Sequence, residues 1–167
     1  WGPHGSGKTR GVHDVANTTL GMSVYEVNSA NVHGVEDTCR KIVSVCRTKT
    51  LMGPRIVLID DIEGFDETYI SGFSAVIRGH AHDDGVLVVT CHDPYDPRIR
   101  ALRKLKMSQV RLFQPKLDHM SAAGGVLMPE LGASALNREA VASHGNYHQL
   151  VLRLGFLKKK NIKRLTS

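Results

Sequence analysis

The chain has 167 residues, 41% of them hydrophobic and 23% charged, with 22 Lys and Arg against 16 Asp and Glu. That length suits one domain, or one domain with a small appendage, and the mix is that of a soluble globular protein. No apolar run approaches the ~18 residues that a membrane span needs, and no signal peptide is expected in these first residues, which are glycine-rich rather than a charged stretch followed by an apolar one.

The first predicted element is a helix over 8–20, stopped by Gly21. Ser23 to Asn28 alternates and carries β-branched and aromatic residues, the pattern of a strand. A helix over 32–47 follows, with Val35, Cys39, Ile42, Val43 and Cys46 on one stripe. Ile56 to Ile59, behind Gly53-Pro54, is a continuous apolar run and predicts a strand buried on both faces. The helix predicted over 66–78 puts Tyr69, Ile70, Phe73 and Ile77 on one face, and Val86 to Val89, opened by Asp84-Gly85, is a second run of the buried-strand kind. A short helix is expected over 98–105 after Pro97, and a short alternating strand over 110–113, stopped by Pro115.

Beyond Pro115 only helical patterns remain, over 116–123, 133–143 and 147–157, with breaks at Gly124-Gly125 and Gly145-Asn146. The end, 158–167, is a basic tail, of the kind more often solvated or frayed than in contact with nucleic acid. Helices alternating with buried strands indicate an α/β core with a largely parallel sheet, residues 1–117, followed by a small helical domain, 118–157.

The chemistry begins at Gly2-Pro3-His4-Gly5-Ser6-Gly7-Lys8-Thr9, which fills every fixed position of G-x-x-x-x-G-K-[ST]. Glycines let the backbone curl so that its N–H groups face phosphate oxygens, and the positive end of the next helix faces the same phosphates. Lys8 is then expected to reach the β- and γ-phosphates of a nucleoside triphosphate, and the Thr9 hydroxyl to ligate Mg²⁺. Such a loop follows a strand, yet only Trp1 precedes Gly2. A central strand is therefore expected upstream, with this chain a piece of a longer protein. Trp1 would be the end of that strand or a neighbour of the nucleotide base. Ile56-Val57-Leu58-Ile59-Asp60-Asp61 is the second half of the site. A buried strand delivers a carboxylate at its C-terminal edge, where ligands bind in open α/β sheets. Asp60 is expected to hold Mg²⁺ and Asp61 to orient or deprotonate the attacking water.

In that order, P-loop, IVLIDDIE, VLVVTCHD and a helical domain, the chain resembles AAA+ ATPases, and within them the clamp loaders, replication factor C large subunits in particular. Gly2 to Thr9 resembles the family's GPPGxGKT, and Tyr25-Glu26-Val27-Asn28-Ser29-Ala30 its "ELNASD" strand end. Asp60-Asp61-Ile62-Glu63-Gly64 resembles "DEVDGM", and His92-Asp93 with Pro97 to Leu102 resembles "ND…PKIRSL". Val110-Arg111-Leu112-Phe113-Gln114-Pro115 resembles "LRFQRP", and Gly145-Asn146-Tyr147-His148 stands where the helical lid carries "GDxR". The likeness runs to about Leu157.

The resemblance implies an ATP site between core and lid. Gly2, Pro3, His4, Gly5, Ser6, Gly7, Lys8, Thr9, Arg10 and His148 would contact nucleotide, and Thr9 and Asp60 would hold Mg²⁺. Asp61, Lys8 and His92 would be catalytic. It also implies slow hydrolysis that a neighbouring AAA+ subunit assists with an arginine, in a hetero-oligomer that loads a sliding clamp onto primer–template DNA. The site would then be intracellular: the nucleus of a eukaryote, or a site of viral DNA replication. Three positions depart from the family. Its catalytic glutamate is Asp61 here, its sensor Asn falls on His92, with Thr90 nearby, and its lid arginine falls on His148, which lacks arginine's permanent charge and fork. The small-subunit finger Ser-Arg-Cys is replaced by Ser108-Gln109-Val110-Arg111. Other DNA-metabolism ATPases of this class, such as helicase loaders or branch-migration motors, and a nucleotide-binding scaffold without turnover, stay open as alternatives.

The positive surplus suits a polyanion, nucleic acid before membrane. Its densest stretch is Arg98, Arg100, Arg103, Lys104, Lys106, Arg111 and Lys116, either a solvated face or a surface tracking DNA phosphates without base stacking. Cys39, Cys46 and Cys91, an odd count, argue against a disulfide framework and for a reducing compartment. His80-Ala81-His82-Asp83-Asp84 reads as a solvated loop rather than a metal site.

Overall fold

The computed structural model describes residues 1–48, 55–79, 85–105 and 107–165, and of 159–165 only the backbone. The Gly53-Pro54 turn, the His80 to Asp84 segment and Lys106 lie outside the described residues. The chain divides into two compact units, one of Trp1 with Lys8–Arg111, the other of Gly2–Gly7 with Leu112–Ser167.

The first unit is α/β. Three parallel strands, β1 (Val24–Val27), β2 (Ile56–Ile59) and β3 (Val86–Val89), stand in the order β1-β2-β3. Val24 is in register with Ile56, and Ile56 with Val86. The crossovers carry α2 (Val35–Arg47) and α3 (Glu67–Gly79), as parallel pairing requires. A neighbour on each side buries all four residues of β2. β3, by contrast, is not buried on both faces as its sequence predicts. Among the described residues it pairs with β2 alone, and Val86 is 42% exposed.

Helix stripes fix the core. α2 carries Glu36 and Asp37 in its first turn and Arg47 in its last, each matched to the helix dipole, and turns Ile42 and Cys46 inward. α3 buries Ile70, Phe73 and Ile77. Phe73 is fully buried and meets Phe65 edge to face, ring centroids 5.1 Å apart. Phe73→Ala is expected to destabilise this unit by about 3–5 kcal/mol, read as a lower urea midpoint with an unchanged slope.

Other elements also depart from expectation. The helix predicted over 8–20 is α-helical only as α1 (Lys8–Asp14), after which Val15–Leu20 winds as a π-helix ending on Gly21 at φ 62°. The Thr18 hydroxyl takes the Asp14 carbonyl and competes with the ordinary ladder. The helix expected over 98–105 is a 3₁₀ turn, Pro97–Ile99, followed by α4 (Arg100–Arg103). Residues 110–113 form no strand. The alternation is present, but no described strand pairs with it, and Val110 and Phe113 are 70% and 69% exposed.

The second unit packs α5 (Leu117–Leu127), α6 (Ala133–Ala142) and α7 (Tyr147–Leu165) around Met120, Leu136, Ala140, Leu150 and Leu154. Gly124-Gly125, expected to break a helix, lies inside α5. A Cβ on Gly124 would stand 3.1 Å from Leu136 Cδ2 and 3.7 Å from Leu154 Cδ1, so the glycine is there for helix packing rather than for a turn. α7 runs past the predicted end at Leu157, so the basic segment continues as helical backbone to Leu165. The break at Gly145, φ 71°, separates α6 from α7 as predicted.

Candidate functional site

In the second unit, Gly5 and Gly7 adopt φ 67° and 89°, the left-handed region that side chains resist. Gly5 has a second reason to be glycine: a Cβ there would lie 1.9 Å from Asn146 Oδ1. The Gly5 carbonyl accepts the Tyr147 N–H at 3.0 Å, so the loop is seated on the start of α7, next to exposed His148. Gly2 is buried against Leu112, whose carbonyl a Cβ would meet at 2.4 Å. Pro3 and His4 are exposed, and the Ser6 Oγ is buried with no hydrogen-bond partner among the described residues.

In the first unit, α1, β2 and β3 bring a set of polar side chains to one end of the sheet. Thr9, in the first turn of α1, places its hydroxyl 2.8 and 2.9 Å from the two oxygens of Asp60. Asp60 follows β2 directly, tied to β1 through its N–H on the Val27 carbonyl. Asp61 comes next at φ 51°, a left-handed conformation that Asp and Asn tolerate better than other non-glycine residues. His92 lies between Lys8 and Asp61, with Nδ1 3.1 Å from Lys8 Nζ and Nε2 3.2 Å from Asp61 Oδ1. A neutral imidazole serves both contacts in one tautomer. Nδ1 accepts from the ammonium, and Nε2–H donates to the carboxylate. Burial lowers the Lys8 pKa from its ordinary value, opposed by the nearby carboxylates of Asp61, Glu63 and Asp60. Burial also raises the Cys91 thiol, and Glu63 adds to the effect.

Two residues to which the sequence assigned no role complete this arrangement. The Thr90 hydroxyl touches both Asp60 and the Asp61 backbone. Glu63 Oε1 accepts the N–H groups of His92 at 2.6 Å and Asp93 at 3.1 Å, fixing the turn that carries the imidazole. The available signal was positional, since both stand beside acids or sensor residues at strand ends.

The Thr9 and Asp60 oxygens are hard donors of the sort Mg²⁺ prefers. Mg²⁺ usually takes one or two carboxylates and completes its shell with water and phosphate oxygens, so this pair fits the ion as part of a nucleotide complex. Among the described residues no group of three His, Cys, Asp or Glu could hold a metal without such help. A cavity of about 100 Å³ is lined by Trp1, Ile62, Val89, Cys91, Ile99 and Leu102 together with polar Arg103, Ser108 and Gln109.

Other predicted residues are placed less centrally. Arg10 is exposed on α1 and pairs with Asp14 at 2.8 Å. Arg98 is engaged by Asp96 at 2.7 Å and by the Glu63 carbonyl, so part of its charge is already answered. Arg103 lies over the Tyr95 ring at 5.1 Å, whereas Arg100 and Lys104 are exposed. Arg111 lies over Trp1, 4.7 Å from the ring centroid. No helix among the described residues is long and apolar enough to cross a membrane.

Comparison with known proteins follows the same lines. The chain is 30% identical over 108 residues to the replication factor C large subunit of Thermofilum pendens, covering 63% of this chain and 26% of that protein. It is 30% identical over 110 residues to the protein of the same name from Pyrobaculum calidifontis, covering 64% and 26%. With that of Nanoarchaeum equitans it shares 28% over 119 residues, covering 70% and 27%. The chain thus spans about a quarter of the length of these curated relatives. Residues 1–115 match the ATPase family associated with various cellular activities, AAA. With that match over most of its length, and with a parallel sheet carrying Thr9 and Asp60 together at one end, the chain belongs to the AAA family of P-loop ATPases.

Proposed function

We propose that this chain binds ATP with Mg²⁺, hydrolyses it slowly, and does so as the nucleotide-binding part of a clamp-loader subunit in DNA replication. The observation that carries this reading is the Thr9 hydroxyl at 2.8 Å from Asp60, a residue pair far apart in sequence that joins the P-loop helix to the strand acid. Backbone N–H groups of Gly2, Pro3-flanked His4, Gly5, Ser6 and Gly7 bind phosphate oxygens, and the orphaned Ser6 hydroxyl gains a partner there. Lys8 binds the β- and γ-phosphates, while Thr9 and Asp60 hold Mg²⁺. When bound, the ion neutralises charge on the phosphates. Asp61 takes the proton of the attacking water, and His92 holds that carboxylate by donating from Nε2.

An arginine from a neighbouring AAA+ subunit supplies the missing transition-state charge, a contribution of about 10³ or more in rate in related NTPases. The partners are therefore other AAA+ subunits in a hetero-oligomer, a sliding clamp and primer–template DNA. Exposed Arg100 and Lys104, with Arg98, Arg103 and Lys106, meet the DNA backbone, and that contact weakens steeply with salt. The setting is intracellular, the nucleus in a eukaryote or a viral replication site. The full-length protein with its partner subunits should bind ATP in Mg²⁺ and lose most of that affinity in EDTA. Its turnover should rise when clamp and primed DNA are added together. Turnover indifferent to both would favour another DNA-metabolism ATPase, a helicase loader or branch-migration motor.

A further inference from the structure

Thr90 directly follows β3 and is 4% exposed. Its backbone N–H donates to the Ile59 carbonyl at 3.0 Å, and its carbonyl accepts the Ile62 N–H at 3.0 Å. Its hydroxyl donates to Asp60 Oδ1 at 2.7 Å and accepts the Asp61 N–H at 2.8 Å. Every polar group of this residue is therefore directed at the end of β2 and the turn that carries both acids. A valine has nearly the same shape and lacks only the hydroxyl's hydrogen bonds, so filling space does not explain the hydroxyl.

We propose that Thr90 is the positioning residue for both carboxylates of the site, an inference that rests on the roles given above to Asp60 and Asp61. Among the described residues two donors reach the Asp60 carboxylate, Thr9 and Thr90. Thr9 is itself assigned to the metal, which leaves Thr90 as the donor that orients Asp60 without being a ligand. Outer partners of this kind set the direction of a metal-binding carboxylate, and their loss costs roughly 10- to 100-fold in metal affinity. The same hydroxyl acts on Asp61 through the backbone. Asp61 sits at φ 51°, and the hydrogen bond from its N–H helps hold that left-handed conformation against relaxation. One hydroxyl thereby sets the spacing between the acid given to the metal and the acid given to water.

The test compares the full-length protein with its Thr90→Val and Thr90→Ser variants by two measurements. The first is hydrogen exchange at the Asp61 amide without nucleotide. Thr90→Val should speed it by roughly tenfold, the scale of one lost hydrogen bond, and Thr90→Ser should not. The second is binding of a fluorescent N-methylanthraniloyl ATP in Mg²⁺ and in EDTA. Thr90→Val should weaken the Mg²⁺ complex by roughly 10- to 100-fold and leave the EDTA affinity unchanged, with serine restoring the wild-type value. Equal weakening in Mg²⁺ and EDTA, or unchanged Asp61 exchange in Thr90→Val, overturns the proposal. If the wild type shows no Mg²⁺-dependent affinity, the nucleotide reading of the site fails and the metal role of Thr90 with it, while the exchange measurement still decides its hold on Asp61. Should valine prevent folding, as seen by circular dichroism, Thr90→Ala takes its place in the same comparison.

Discussion

Replacing Asp61 with asparagine is expected to lower ATP turnover by about 10²- to 10⁴-fold, the usual contribution of a positioned general base, while nucleotide affinity holds or rises. Asparagine is the informative substitution because of the backbone. Asp61 is at φ 51°, and Asn accepts that left-handed conformation about as readily as Asp. The Asp61 N–H keeps its bond to the Thr90 hydroxyl, and Asn Oδ1 can still accept from His92. Only the charge and the basic site are lost. Alanine would confound the chemistry with backbone strain. The same conformation gives a physical account of why this chain carries Asp where the resembled family carries Glu, since a longer side chain without local hydrogen bonding is less at ease at positive φ. Turnover is measured in the complete complex with clamp and primed DNA. If Asp61→Asn leaves it unchanged, Asp61 is not the base. Tight ATP binding without turnover in wild type and variant alike would make the chain a nucleotide-binding scaffold.

Lys8→Ala should have the largest effect on binding, a loss of MgATP affinity of roughly 10- to 150-fold, the range for one charge-assisted hydrogen bond. The surroundings push the value to the upper end. Lys8 stands among the carboxylates of Asp60, Asp61 and Glu63, all of which favour its charged form. Without the ammonium, these acids face an incoming triphosphate uncompensated. His92 would also lose the Lys8 contact at its Nδ1. Lys8→Arg should not restore binding, because the planar guanidinium cannot occupy the place of a compact ammonium 3.1 Å from an imidazole nitrogen. Equilibrium binding of a fluorescent ATP analogue to each variant checks both statements, and an alanine variant that binds as tightly as wild type would remove Lys8 from the phosphate site.

Much of this protein is local in origin and could be read along the chain. Ile56 to Ile59 is apolar at every position because β2 has a strand on each side, and the residues that α3 buries follow its 3.6-residue period. The motif Gly2 to Thr9 is contiguous, so its glycines and its lysine announce themselves without any knowledge of the fold. Tertiary structure decided what depends on distant partners. The alternation at 110–113 meets no described strand, and among the described residues Val86–Val89 pairs on one side alone, because pairing is a property of neighbours and not of a segment. Gly124 sits within a helix because Leu136 needs the room of its missing side chain. The site shows the same division. Sequence marks Thr9 and Asp60 as separate candidates, but only the crossover from α1 to the end of β2 sets them 2.8 Å apart. It marks no role for Thr90 or Glu63, because a hydroxyl or a carboxylate acquires its work from the hydrogen-bond partners that folding brings to it.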